Sequence, residues 1–171
     1  MASTKPLWKQ NLWLKKSKAL IPFHIALIHP EIPGNTGNIG RLAVGIGAQL
    51  HLVKPLGFEL SEKAVRRAGI DHWNQVNLRV HESREEFLEW AGDRRLHLFS
   101  ARGEQPYSRL KVAEGDVLVF GAESVGLPVE MVEAHGAWRI PTPGQVRSLN
   151  LSNSVAIVAY HALQTTCSDL F

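Results

Sequence analysis

RSLNLSNSVAIVAYHAL, residues 147–163, changes character half-way along. Five of the seven residues from Ser148 to Ser154 are small and polar: Ser148, Asn150, Ser152, Asn153 and Ser154. Ser and Asn side chains accept the N–H groups that a helix's first turn leaves unpaired, so the polar half reads as a helix entrance. Val155, Val158, Ala159 and Ala162 then recur at i, i+3, i+4 and i+7, one buried face. Read alone, the stretch is an ordinary capped C-terminal helix. Whether its entrance also holds a ligand depends on the loops that fold beside it.

Upstream, short apolar runs alternate with helical periods. Phe23–Ile28 (FHIALI), Gln49–Val53, Val76–Val80, Leu96–Phe99, Val117–Phe120 and Trp138–Ile140 read as strands. Pro30, Pro33 and Gly34 argue against regular structure after the first of them. Asn35 or Thr36 then caps a helix whose face is Ile39, Leu42, Ala43 and Ile46, with Arg41 pointing away toward the strand ends. Ser61 and Glu62 open a short helix through Arg67, before a turn carrying Trp73. Ser83 caps a helix to Ala91, and Pro128 begins one to His135, at proline's favoured first position. Residues 101–115 read as a polar loop. This alternation predicts an α/β fold with a mostly parallel sheet flanked by helices. No repeat or linker divides it, so one domain is expected over residues 23–171. Ligands of such sheets gather where strands end, here at GNTGN, SARG, GAESVGLP and IPTPG.

Composition narrows the function classes. With 171 residues, 44% hydrophobic and 20% charged, the chain can bury a real core. No apolar run approaches a membrane span. One cysteine cannot make an internal disulfide, and no secretory pattern is visible, so a cytoplasmic location is expected. The eight histidines are scattered without zinc spacing, and no metal is expected. The net charge of +3 is uneven, because Lys5, Lys9, Lys15, Lys16 and Lys18 all precede the first acidic residue, Glu31. Without them, 14 basic residues face 16 acidic ones. Bulk charge therefore does not demand a nucleic-acid partner, and any basic surface is local. Residues 1–22 form a basic extension, either an RNA or subunit contact, a disordered tail or the product of a mistaken start site.

Two motifs mimic known chemistry. Gly34, Gly37 and Gly40 recur after the first strand, but not as G-x-G-x-x-G, and no phosphate-loop lysine follows. Ala122–Gly126, AESVG, imitates a nucleophile elbow around Ser124. The order of His161 before Asp169 is wrong for a hydrolase of that class. Glu123 beside it reads as a surface carboxylate, or as an Arg41 partner that orders the loop after the first strand.

Three blocks together resemble the SPOUT superfamily of knotted RNA methyltransferases: NTGNIGRL at 35–42, FGAESVGLP at 120–128 and IPTPGQVRSLNLSNSVAIVAYHAL at 140–163. PEIPGNTGNIGRL and KPLGFELSEKAVRRAGIDHW, at 54–73, are similar to its single-domain TrmL-type family. The resemblance covers Ile25 to about Gln164. It implies a SPOUT (α/β knot) domain with a C-terminal trefoil knot, a homodimer, and S-adenosylmethionine as cofactor. The implied reaction is 2′-O-methylation of the wobble cytidine or uridine, position 34, with the tRNA anticodon stem-loop as partner. The alternatives are another tRNA position or rRNA, and an RNA-binding module without activity. By position, the resemblance assigns Phe99, Gly121, Ile140 and Ser148 to the cofactor, with Leu127 and Leu149 adding contacts. It gives Asn150 and Asn153 a structural part in the knot, with Glu123 ordering the neighbouring loop.

The chemistry asks for more. A sulfonium is already an excellent leaving group, whereas a ribose hydroxyl is hardly ionised at neutral pH. The protein must align oxygen, methyl and sulfur and ease the proton's departure. The resemblance places Arg41 at this task. Arginine is a poor base, so anchoring a phosphate and stabilising a developing oxyanion suit it better. Asn35 is the expected helper. The chain departs from the family pattern at Gly40, at His72 and at His161, where a glutamate is usual.

Overall fold

The computed structural model describes residues 21–61 and 72–171. In chain order its elements are β1 (His24–Ile28), α1 (Pro33–Ile46), β2 (Gln49–Val53), β3 (Leu78–His81), α2 (Arg84–Ala91), β4 (Leu96–Phe99), β5 (Gln105–Pro106), β6 (Val117–Phe120), α3 (Val129–His135), β7 (Trp138–Arg139) and α4 (Leu151–Thr166). The strands form one sheet, ordered β3-β2-β1-β6-β4-β7-β5, and every strand pairing in it is parallel. The short helix expected from Ser61 to Arg67 lies, beyond Ser61, outside the described residues.

Parallel strands need crossovers, and the crossover helices cover both faces. Alternate residues of β1 therefore point into two cores. Ile25 and Leu27 pack with Ile39 and Ala43 of α1 and Val155, Val158, Ala159 and Ala162 of α4. Ala26 and Ile28 pack with Phe87 of α2 and Met131 of α3. The heptad-spaced face read from the C-terminal helix is thus buried, each of its four residues fully. Complete burial of a side chain such as Leu27 or Phe87 stabilises the fold by about 2 kcal/mol.

The sheet order also locates the site. From β1 the chain leaves to one side, through α1 to β2. From β6, which lies against β1, it leaves to the other, through α3 to β7. The loops after β1 and β6 part at this switch, and a crevice opens at the strands' carboxyl ends.

Five local expectations are corrected. Pro33 does not exclude the helix but opens it, because a first-turn N–H needs no helical partner. Asn35 and Thr36 therefore lie inside α1 and do not cap it; Ile32 holds the cap position with no side-chain hydrogen bond. β3 starts later than read, at Leu78, because Val76 closes a 3-10 turn over Trp73–Gln75 by donating its N–H to the Trp73 carbonyl at 3.1 Å. The 101–115 stretch is not wholly loop: Gln105–Pro106 pairs with Trp138 and Arg139, and Leu110 and Val112 are buried. Pro128 caps α3 rather than standing in its first turn. The Ser83 cap is as read, its hydroxyl accepting from the Glu86 N–H at 3.2 Å.

Candidate active site

A cleft of about 530 Å³ occupies the crevice. All six residues assigned to the cofactor line it: Phe99 after β4, Gly121 and Leu127 around the β6 loop, Ile140 after β7, and Ser148 and Leu149 before α4. Asn35, Glu123 and Asn150 line it as well.

The wall after β6 is a closed hairpin-like loop. Ala122 and Gly126 exchange backbone hydrogen bonds of 3.2 and 2.8 Å. A Cβ on Gly121 would stand 2.1 Å from the Gly126 carbonyl carbon, so only glycine permits this closure. Phe99 stacks on Phe120 with ring centroids 4.8 Å apart, giving the adjoining wall an apolar floor.

A string of polar side chains ties the walls together. The Glu123 carboxylate accepts from the backbone N–H of Glu31 at 2.7 Å and of Ile32 at 3.2 Å, and from Asn35 Nδ2 at 3.0 Å. It supplies the negative group that α1's N-terminus lacks locally. Asn35 Oδ1 in turn accepts from Asn150 Nδ2 at 2.9 Å. Asn150 Oδ1 caps α4, accepting from the Ser152 N–H at 2.9 Å, the Ser152 hydroxyl at 2.7 Å and the Asn153 N–H at 3.4 Å. Residues separated by as many as 115 positions in sequence are joined in this way.

Three expectations change here. Glu123 does order the loop after β1, but through Glu31, Ile32 and Asn35 rather than through Arg41. Arg41 is exposed and outside the cleft lining. It lies six residues, about 9 Å, further along α1 and roughly a third of a turn off Asn35's face. The Asn153 side chain is exposed and, among the described residues, joins no tie between loops; only its backbone N–H takes part. His161 is engaged within the chain, bonded through Nε2 to the Leu110 carbonyl at 2.8 Å and edge-on to Tyr107. Gly40 faces the Trp73 ring, which a Cβ would approach to 3.0 Å; its small size is matched by that indole.

The sequence and the fold that carries this cleft have relatives among known proteins. The family model of the SpoU rRNA Methylase family matches residues 22–160. The chain belongs to the SpoU methylase family. A relative from Methylovorus glucosotrophus, named tRNA (cytidine(34)-2'-O)-methyltransferase, is 45% identical over 143 residues, covering 82% of this chain and 93% of its own. A solved structure described as giving insights into the 2-OH methylation of C/U34 on tRNA is 44% identical, with a TM-score of 0.82, covering 88% of this chain and 99% of that one. An AdoMet-bound rRNA methyltransferase from Sinorhizobium meliloti is 29% identical with a TM-score of 0.75, covering 85% of this chain but 57% of its own.

Membership of that family does not by itself reveal a contact between Ser124, which lines the cleft, and Glu31 beside it. Ser124 donates its hydroxyl to Glu31 Oε1 at 2.6 Å and its N–H to Glu31 Oε2 at 2.9 Å. The elbow-like serine is thus engaged by a carboxylate, with no histidine beside it among these contacts. No local pattern signals the pair, because Glu31 and Ser124 are 93 positions apart. Arg102 and Arg147 also line the cleft. Among the described residues, no group of three or more His, Cys, Asp or Glu side chains is arranged to hold a metal ion. No helix among them is long and apolar enough to cross a membrane.

Proposed function

We propose that the protein transfers a methyl group from S-adenosylmethionine to the ribose 2′-hydroxyl of the wobble nucleotide, cytidine or uridine 34, of tRNA. The observation that carries this reading is the cleft itself. Phe99, Gly121, Leu127, Ile140, Ser148 and Leu149 come from four separate parts of the chain and converge on one cavity. Its size suits a nucleoside-sized ligand, and its glycine-rich, backbone-exposing walls suit an adenine's donors and acceptors. Phe99 and Ile140 offer apolar surface; Ser148 and the amides of the 121–127 loop offer hydrogen bonds. When bound, S-adenosylmethionine supplies an electrophilic methyl on a sulfonium and leaves as neutral S-adenosylhomocysteine.

The chain's own residues must then hold the ribose and relieve the hydroxyl of its proton. Asn35 has both ends of its amide committed, Nδ2 to Glu123 and Oδ1 to Asn150, so it presents one fixed N–H and one lone pair to the cleft. Arg41 serves as the phosphate anchor and oxyanion stabiliser. Its place outside its own cleft supports a homodimer in which each chain's Arg41 completes the partner's site. The same reading extends to a C-terminal trefoil knot, an anticodon stem-loop as the bound RNA, a cytoplasmic location, and residues 1–22 as an extension outside the 23–171 domain. The near-complete coverage of the C/U34-related structure, against 57% of the longer rRNA enzyme, favours the small-substrate reading over rRNA.

Mass spectrometry of tRNA nucleosides from a deletion strain tests it. The expected result is loss of 2′-O-methylation at position 34 alone. Unchanged position 34 with loss elsewhere in tRNA or rRNA transfers the activity to that site. Purified protein that binds RNA but not S-adenosylmethionine removes the enzyme reading.

A further inference from the structure

The loops after β1 and β6 exchange carboxylates. Glu123 reaches from the second loop to the Glu31 and Ile32 N–H groups of the first. Glu31 reaches back from the first loop to the N–H and hydroxyl of Ser124 in the second. The two contacts are not equivalent. The first secures the start of α1 and Asn35. The second grips the tip of the 121–127 loop.

That loop moves as a unit, because Ala122 and Gly126 are bonded to each other and Gly121 is wedged under Gly126 and Leu127. A rigid loop held by one side chain can still rock about it. A second attachment at the next residue fixes its tilt. The face whose tilt is set carries Gly121 and Leu127, two of the residues that line the cofactor cleft. We propose that Glu31 and Ser124 are positioning residues for methyl transfer, a latch that sets the height of the β6 loop over the cofactor. The proposal rests on the cleft being the S-adenosylmethionine site.

The geometry distinguishes a positioning role from a stabilising one. The latch lies on exposed surface, where single polar contacts contribute little to folding. Small misplacements of binding groups nevertheless cost affinity and rate steeply. Ser124 also adopts neither the surroundings nor the partner of a nucleophile: its hydroxyl proton is already given to Glu31.

The experiment is calorimetric titration of S-adenosylmethionine into the full-length protein without RNA, alongside thermal melts. Glu31→Ala is expected to raise the dissociation constant about tenfold, the loss of a hydrogen-bonded charged acceptor, with little change in melting temperature. Ser124→Ala should raise it about threefold, since the backbone N–H remains, and Ser124→Thr should restore it. Glu31→Ala/Ser124→Ala should bind no more weakly than Glu31→Ala alone, because the hydroxyl acts only through that carboxylate. Wild-type affinity in Glu31→Ala, or additive losses in the double variant, overturns the latch. Failure of the wild-type protein to bind S-adenosylmethionine overturns the cofactor reading instead.

Discussion

Two polar networks among the described residues are of similar size and built for opposite ends. On the α2 face of the sheet, His24, His51 and His81 run diagonally across β1, β2 and β3, with ring nitrogens 3.1 and 2.9 Å apart. His51 and His81 are fully buried, and Trp90 lies against all three rings. At the strands' carboxyl ends, Glu123, Asn35 and Asn150 form the other network. The histidines join strands that the parallel ladder already holds in register, so they add packing and not placement. The carboxylate and amides join loops that no ladder holds, and they face the cleft. Burial tolerates the first because it is neutral. The second can carry charge because one side is open to solvent.

Damage to the two should therefore separate activity from stability. The largest effect belongs to a residue in neither network. Arg41 is exposed and has no hydrogen-bonding or ionic partner among the described residues, so nothing in the fold depends on its charge. Arg41→Ala should lower methyl transfer to tRNA by about a thousandfold, a loss of transition-state stabilisation of about 4 kcal/mol. Melting temperature and S-adenosylmethionine affinity should hold. Parallel loss of cofactor affinity would return Arg41 to a structural role.

His51→Ala inverts that pattern. It leaves a cavity beneath Trp90 and strips both neighbouring rings of a partner. Chemical denaturation should register a loss of about 3 kcal/mol. Turnover per folded molecule, measured at a temperature where the variant stays native, should be near wild type. A turnover defect of tenfold or more would mean that the imidazole row communicates with the cleft.

The contrast also explains what could be read from the sequence. The strands β2, β4 and β6 and the buried face of α4 follow from runs and periods within a few residues, and these were legible. The boundaries of α1 were not, because Asn35 looks like a cap and its true partners are Glu123 and Asn150, 88 and 115 positions away. The Glu31–Ser124 contact and the histidine row were invisible for the same reason. His24, His51 and His81 share no spacing, and only the strand register brings His51 opposite Ala26 and Val53 opposite His81. Resemblance to a family supplied the cleft residues. It did not supply the side-chain string that orients them, and it placed a tie at Asn153 that is not made among the described residues.

Asn150 joins the two concerns, so its variant should show a mixed and smaller effect. Asn150→Ala removes the α4 cap and frees Asn35 Oδ1. A stability loss of about 1–2 kcal/mol is expected from denaturant midpoints. Transfer should fall about tenfold, with Asn35 no longer held at both ends of its amide. A purely thermal defect with full activity would show that Asn35 needs only Glu123.

The subtlest separation is by pH. Burial holds His51 far below the usual imidazole range, at about 2, assisted by repulsion from His24, His81, Arg79 and Arg94. Burial also lowers His24, with Arg94 adding to it and a Gln49 hydrogen bond opposing. Burial and Arg79 lower His81, against the attraction of Glu86, whose carboxylate lies 3.7 Å from Nδ1. Unfolded histidine titrates near 6.5, so below that pH the unfolded chain binds protons the native chain refuses. Stability is therefore complete above about pH 6.5 and falls with acid, by about 1.4 kcal/mol per pH unit for each ring kept neutral. Geometry limits how many rings can escape this. Two hydrogens bridge the row and one sits at an end, so a single extra proton fits at the other end. A second would set two N–H groups against each other. Asp116 enters only lower, because its carboxyl, held down by the Ala113 N–H, His97 and Arg95 against the cost of its burial, loses its contribution below the normal carboxylate range. Denaturant unfolding between pH 7.5 and 5 isolates the histidines from it. Wild-type stability should hold down to about pH 6.5 and slope down below it, and His51→Gln should flatten that slope while leaving cofactor affinity unchanged. An equal slope in the variant would assign the acid sensitivity to groups outside the row.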